Sequence, residues 1–508
     1  MMNKKLFNNT ILVFVALLLC KFVAFFQEMI MAASFGANYL SDSFNTVYGI
    51  KQAVFPMFVV GINQVFLPIY KKKLVSESRQ DLAEFSNYVI TISSIAVLIL
   101  VIIIFCFTPI VVSIVAPGFS DIAKGITVSL VKISVFSYFA ICLSAILSSM
   151  IMADGHFFIS NIASSLQHIC VIIAILIFYS RVGITALAWA LVIGSILQVL
   201  IQLPYVQRGY RYKFTTKIKR KDAEDFYRKL PASFLSSGIT QVNTLIDRAI
   251  ASSLTEGSVS ILNYGSRVFS VLLDLCGQIF STASYPHMIE LIVNRKWDEL
   301  GKLLREITEM IWLVTIPMAI FGTAYSKQVI SILFGHGAFD HSKVLITSSV
   351  LNAYIIALPI SSVTNIYNNV YFGDGNTNIP MKLNFLNLLI NIALNMLLVK
   401  SMGISGLAYA TSVSITIVFF LRYLMLSKKI GYYFIALDKN LSLIFFSSIV
   451  SCMITTWATK YIASDSVIVT CVIALLIGSF LYFAILFAFR MPLITDIRSS
   501  LSDRASKN

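Results

Sequence analysis

Charge is scarce in this chain of 508 residues: Asp, Glu, Lys and Arg together make up 12% of it. A soluble domain carries about 25%. With 57% hydrophobic residues and a mean hydropathy of +0.83, the composition is that of a polytopic membrane protein. Acid is scarcer than base, 24 residues against 39, for a formal charge of +15. In a soluble chain that excess would point to nucleic acid. Here the basic residues fall in alternate short loops, where they set topology and meet anionic headgroups, so no nucleic-acid partner is expected. Cysteine is sparse and unpatterned: Cys20, Cys106, Cys142, Cys170, Cys276, Cys452 and Cys471 all lie inside apolar runs, without the paired spacing of a disulfide framework or a metal site. No Walker-type phosphate loop occurs, which argues against ATP hydrolysis. A glycosyltransferase or polymerase would need a large polar loop with catalytic carboxylates. The longest loop, 208–229, is mostly basic, so no enzyme is expected.

What is present is a succession of apolar stretches of about 20 residues or more, the length that crosses a bilayer. Fourteen are read: 8–35, 42–70, 84–109, 124–152, 158–180, 184–206, 230–253, 258–291, 303–325, 342–372, 380–400, 404–427, 438–461 and 466–489. The first follows Lys4 and Lys5 without a cleavage signal and reads as a retained helix. Lys71, Lys72, Lys73 and Arg79 follow the second span, Arg295, Lys296 and Lys302 the eighth, Lys428 and Lys429 the twelfth, whereas the loops after spans 3, 7, 9 and 13 are nearly free of Lys and Arg. The positive-inside rule then puts both termini in the cytoplasm, and the resemblance given below implies that the membrane is the bacterial inner one. Within the first span, Lys21, Gln27 and Glu28 stand where a lipid-facing helix should carry no charge. A charge near the bilayer centre costs about 2.5–3.5 kcal/mol and normally faces a wet cavity or a partner. Lys21 and Glu28, two helical turns apart, share one face. His168, inside an apolar span, reads as a satisfied core histidine rather than a proton relay.

The chain repeats itself. Asp154-Gly155 recurs as Asp374-Gly375, the block from Gly183 to Ala190 recurs from Gly403 to Ala410, and Phe119 recurs as Phe339, each 220 positions later (374 − 154, 403 − 183, 339 − 119). Three blocks in one register exceed chance, and an even number of intervening spans gives both copies the same orientation, related by an axis along the membrane normal. The expected fold is all-α: two pseudo-symmetric six-helix lobes and two C-terminal helices. By residue this means lobe 1–207, a basic cytoplasmic linker 208–229 with nine Lys or Arg, lobe 230–430, spans 13 and 14 over 431–490 as an addition, which the resemblance given below implies is a groove for a lipid tail, and a cytoplasmic tail 491–508.

Several local blocks carry a family likeness: Ala116-Pro117-Gly118-Phe119, Leu187-Ala188-Trp189-Ala190 running to Gln202-Leu203-Pro204, Gly257-Ser258-Val259-Ser260 and Tyr264-Gly265-Ser266-Arg267. In this order they resemble the MurJ/MviN lipid II flippases, within the superfamily of multidrug and polysaccharide-lipid exporters. The resemblance covers nearly the whole chain. It implies a monomeric flippase that moves a polyprenyl-pyrophosphate-linked oligosaccharide from the cytoplasmic to the outer leaflet by alternating access, for peptidoglycan synthesis. That family holds its substrate with arginines on spans 1, 2 and 8. By position, Lys21 matches the first span-1 arginine, Gln27 the second, Glu28 an acidic neighbour, Asp42 a span-2 aspartate and Arg267 the span-8 arginine; Lys51 is the cation nearest the missing span-2 arginine. Gln27 is uncharged, and Ser266 stands where relatives can have aspartate. These departures favour, as rivals, a flippase for O-antigen or capsular repeat units and a membrane scaffold without transport. A cation-drug antiporter would want acids, not Lys21 and Arg267, in its cavity.

A second polar set lies on span 11, where Asn384, Asn387, Asn391 and Asn395 recur at spacings of three and four on one helix face. Such a face can be packing glue between helices. Subtracting 220 from Asn391, Asn395 and Thr411 gives Val171, Ile175 and Leu191, so the oxygen-bearing side chains are confined to one lobe. That one-sidedness suits a monovalent-cation site. The resemblance implies Na⁺ at positions matching Asp247, Asn391, Asn395, Leu407 through its carbonyl, and Thr411, with Asp247 the sole carboxylate. No other cofactor is expected.

Overall fold

In hydrocarbon no water is available to backbone N–H and C=O groups, so a spanning segment must satisfy them internally, which a helix does. In the computed structural model of the chain, every regular element among the described residues is helical. The structure describes residues 4–76, 78–206, 210–217, 224, 226–227, 238, 241–432, 435, 439–461 and 466–491. The first series is α1 (Lys4–Phe35), α2 (Tyr39–Ser76), α3 (Arg79–Cys106), α4 (Thr108–Val115), α5 (Asp121–Ser134), α6 (Phe136–Ala153), α7 (Phe157–Ile173, continued by a π-helical turn, Ala174–Phe178), α8 (Tyr179–Val182) and α9 (Thr185–Val206). A helix over 241–252, α10, precedes α11 (Ser258–Val293), α12 (Trp297–Ala324), α13 (Ser326–Phe334), α14 (His341–Ile355), α15 (Leu358–Gly373), α16 (Asn378–Met402) and α17 (Ile404–Ile430). Two further helices close the chain, α18 (Lys439–Tyr461) and α19 (Val467–Ala488).

Among the described residues, eleven helices are long and apolar enough to cross a membrane, or twelve if the bent pair α14 and α15 counts as one span. Of the two remaining expected spans, the stretch 54–64 of α2 and much of 230–253 fall outside the residues whose side chains the structure describes.

The repeat is written in backbone geometry. Gly183 ends α8 with φ +72° and its N–H on Tyr179 O at 2.8 Å; Gly403 ends α16 with φ +57° and its N–H on Val399 O at 2.9 Å. A left-handed residue closing a helix suits glycine, which has no Cβ to strain. Ser120 caps α5 by accepting from Ala123 N at 3.3 Å, and Asp340, 220 residues on, caps α14 by accepting from Lys343 N at 2.9 Å. An N-cap oxygen satisfies a donor that the first turn leaves open.

The chain divides into two compact units, Met1–Ser260 with Gly337–Phe339, and Ile261–His336 with Asp340–Asn508. The 208–229 segment falls inside the first. Its core joins α2, α3, α5, α6, α7 and α9 around Phe66, Phe85, Tyr138 and Leu191. Lipid is as apolar as leucine, so close packing must hold these helices together. Gly194 supplies it between α9 and α7: an added Cβ would lie 2.6 Å from Gln167 Cα, so Gly194→Leu would wedge the pair apart. The second unit is built on α12, α15, α17 and the terminal pair, with Tyr482 of α19 donating to Leu313 O of α12 at 2.8 Å.

Candidate substrate and cation sites

In the first unit α7 reaches across to α1 and α2 through two adjacent side chains. His168 Nδ1 lies 2.7 Å from Gln27 Oε1, which also accepts from Tyr48 Oη at 3.4 Å. With the amide oxygen as acceptor, the ring carries its hydrogen on Nδ1. Gln167 accepts from Lys51 Nζ, which also sits 4.8 Å from the Tyr48 ring centroid, and Gln167 Nε2 donates to Leu191 O at 3.1 Å. Gln27 is 1% exposed, so this amide is spent inside the unit. Glu28 is buried beside it, while Lys21 is exposed. His168 is thus bonded, as a core histidine should be, but to one of the expected substrate residues.

Asp42, placed by resemblance with the substrate residues, has both oxygens engaged by the chain itself. Oδ2 accepts from Gly257 N at 2.7 Å and Oδ1 from Ser260 N at 2.8 Å, at the start of α11. A carboxylate there meets the open N–H groups and positive end of a helix dipole. Gly257 has φ +87°, and a Cβ on it would run into Ala37 O. Asn45 Nδ2 and Ser41 meet Ser260 Oγ at 2.9 and 3.0 Å. Arg248, not singled out in the sequence, is buried and donates from Nη1 to Asn45 O at 2.9 Å and from Nη2 to Gln52 Oε1 at 3.3 Å. Gly49 leaves the room its guanidinium occupies. An arginine next to Asp247 inside an apolar span was the available signal.

In the second unit Arg267 lies on α11, half-buried, beside Gly265, where an added Cβ would stand 2.7 Å from Val350 Cγ1 of α14. Its Nε is buried without a hydrogen-bond partner, and no carboxylate among the described residues pairs with it. The ion pair with Asp274 that would make it a packing residue is not formed.

The expected cation ligands of this unit come together. Asn395 Nδ2 donates to Asn391 Oδ1 at 2.9 Å, Asn391 Nδ2 to Thr411 Oγ1 at 3.1 Å, and Thr411 Oγ1 to Leu407 O at 3.0 Å. Asn391 and Asn395 are fully buried. Asp247, the carboxylate expected with them, belongs to the other unit. Asn384 does not join them: its Oδ1 accepts from Arg422 Nη2 at 3.2 Å.

The helical unit built twice agrees in fold with what comparison finds. The family model described as lipid II flippase MurJ matches residues 31–477. The chain belongs to that family. Among MurJ relatives, the probable lipid II flippase of Rickettsia prowazekii is 25% identical over 414 residues, 80% of this chain and 81% of that one. The one from Thermotoga maritima is 27% identical over 397 residues, 76% and 78%. Among solved structures, a lipid II flippase MurJ in an inward closed conformation superposes with a TM-score of 0.83 at 24% identity, over 95% of this chain and all of that one. An inward-facing multidrug transporter of the MATE family gives 0.70 at 13% identity, over 81% and 94%. At those identities the likeness is one of fold.

Proposed function

We propose that this MurJ-family protein is a lipid II flippase of the bacterial inner membrane, with both termini cytoplasmic. It carries a polyprenyl-pyrophosphate-linked sugar from the cytoplasmic to the outer leaflet by alternating access. The observation that carries the reading is Arg267, a half-buried guanidinium that no carboxylate among the described residues pairs with. A diphosphate leaving water needs fixed positive charge, or its desolvation goes uncompensated, and a planar guanidinium can take two of its oxygens at once. Exposed Lys21 is the second cation in this scheme, with Lys51, already bonded to Gln167, a weaker third. Gln27 and Glu28 shape the first unit's side of the path rather than hold charge. The step is a translocation, in which no bond of the substrate is made or broken.

Asp42 acts in this scheme as a latch. The loops after α1, α4 and α10 lack Lys and Arg, the pattern of the outer face, and the bonds from Gly257 and Ser260 to Asp42 tie the start of α2 to the start of α11 on that side. Na⁺ held by Asn391, Asn395, Thr411 and the Leu407 carbonyl, with Asp247 as carboxylate, is the proposed coupling ion. A flippase for another lipid-linked repeat unit is the second reading, favoured by Gln27, whose amide is committed to His168 and adds no charge.

The decisive experiment is complementation. Cells depleted of their own lipid II flippase should regain growth when this chain is expressed, and lose it again with Arg267→Ala. Failure to rescue, with the protein present in the membrane and active on another lipid-linked oligosaccharide, would favour the second reading.

A further inference from the structure

Arg422 on α17 is 3% exposed, the guanidinium of a buried arginine in a chain short of charge. Its neighbours Phe420, Leu421, Leu424 and Met425 face outward, so Arg422 points with Phe419, Tyr423 and Leu426 into the second unit. It has one hydrogen bond, from Nη2 to Asn384 Oδ1, and its Nε is buried with no acceptor. No carboxylate among the described residues pairs with it; Asp374, at the end of α15, is taken by Lys429. The ionisable side chain whose field reaches Arg422 is Tyr371 of α15, a phenol that is itself buried and whose hydroxyl has no partner.

The internal repeat shows that the fold does not require this charge. Subtracting 220 from Arg422, Asn384, Asn368 and Tyr371 gives Gln202, Ser164, Ser148 and Ile151. There Gln202, equally buried, donates to Ser148 Oγ at 2.8 Å, and the position is neutral. A glutamine suffices to pack this place, so the arginine in the second copy has some other use. A buried cation left alone costs several kcal/mol. Here Arg422 Nε–H and Tyr371 O–H lack an acceptor among the described residues, and Asn384, whose oxygen is fixed on Arg422, keeps its NH₂ as a third donor.

We propose that Arg422, Tyr371 and Asn384 form an anion site that takes a phosphate group, separate from the substrate cation Arg267. Only an acceptor with negative charge answers both the donors and the uncompensated charge, and the planar fork of arginine matches two oxygens of a phosphate. Tyr371 lies near the end of α15 and Asn384 near the start of α16, on either side of the turn between them, with α16 packed along α17. That end carries Lys382, Lys428 and Lys429, with Lys429 Nζ 5.8 Å from the Tyr371 ring. The phosphate can come from a phosphodiester lipid headgroup or from solution.

The test melts the purified full-length protein in two arms at fixed Na⁺ and matched ionic strength, so that screening and sodium are held constant. One arm compares inorganic phosphate with chloride in neutral detergent. The other compares phosphatidylcholine nanodiscs with and without phosphatidylglycerol. A ligand bound only by the folded state raises the melting temperature, and a rise of about 2 °C or more in one arm names the source. Arg422→Gln, the residue of the first copy, should lose the response and melt no lower than the parent without anion. Arg267→Gln should keep the response. Arg422→Lys and Tyr371→Phe should each weaken it, and they remain informative if Arg422→Gln does not fold. The inference falls if neither arm stabilises the parent, if the response survives in Arg422→Gln or at full size in both milder variants, or if Arg267→Gln abolishes it.

Discussion

The α7–α9 helices of the first unit and the α16–α17 helices of the second are two copies of one design with opposite interiors. The turns agree closely: Gly183 and Gly403 close their helices with the same hand and the same hydrogen bond. The side chains do not. Val171, Ile175 and Leu191 pack as apolar core in one copy, where the other has the bonded chain Asn391, Asn395 and Thr411. Gln202 stands where the second copy has Arg422. Conversely, Gln167 and His168, which bind Lys51 and Gln27 in the first copy, correspond to Asn387 and Leu388 in the second. Turn geometry is demanded by the backbone and survives duplication. Buried polar chemistry is not demanded by packing, so where it differs between copies it reports function.

The largest expected effect tests Arg267, whose role has no double in the first unit. Arg267→Ala should abolish flipping in a lipid-translocation assay with the protein still in the membrane. Arg267→Lys should restore it only partly, because lysine is a point charge without the fork. Full transport by the alanine variant would leave Arg267 a packing residue.

The amide chain can be converted to its counterpart. Asn391→Val with Asn395→Ile should erase any extra thermal stability in Na⁺ over choline at equal ionic strength, an increment of about 2.7 kcal/mol at a hundredfold excess over Kd. Asp247→Asn should do the same by deleting the only carboxylate. Identical melting of the parent in Na⁺ and choline would make the asparagines helix-packing glue.

The latch allows a chemical probe. With the native cysteines replaced, Ser260→Cys should resist a membrane-impermeant thiol reagent, since Ser260 is fully buried. Adding Asp42→Asn, which weakens the two bonds to backbone N–H, should speed labelling several-fold. Equal rates would dissociate Asp42 from closure.

The smallest effect checks the symmetry itself. Gly183→Ala and Gly403→Ala should each cost about 1–3 kcal/mol, the strain of a Cβ in a backbone region that is almost glycine's alone, with no steric addition because neither added Cβ meets another atom within 4 Å. Unequal losses in thermal unfolding would mean that the two turns are not equivalent.

The helices and the duplication were legible in the sequence because both are local or periodic: apolar runs of spanning length, and blocks returning at a fixed offset. The span count agrees for the twelve spans that the described residues cover, with the bent pair α14 and α15 taken as one. Site residues were legible as types but not as partners. His168 looked like core because nothing near it in sequence announces Gln27, 141 positions away. The partners of Asp42 are backbone hydrogens more than 200 residues on, and backbone donors leave no mark in composition. Arg422 had a readable sign that passed unnoticed: aligned by the repeat, it is a charge opposite glutamine.

The two bonds on Asp42 also set a resting population. Hydrogen bonds to a charged group contribute about 1.5–3 kcal/mol each net of water, so if Asp42 is the proposed latch, parting both would disfavour an unlatched form by about 3–6 kcal/mol and hold it below about one part in a hundred. Cargo that binds both forms equally would leave that ratio untouched, however tightly it bound. Only a head group gripped more strongly as the latch parts can work this machine, which makes its selectivity a matter of what the released form can hold.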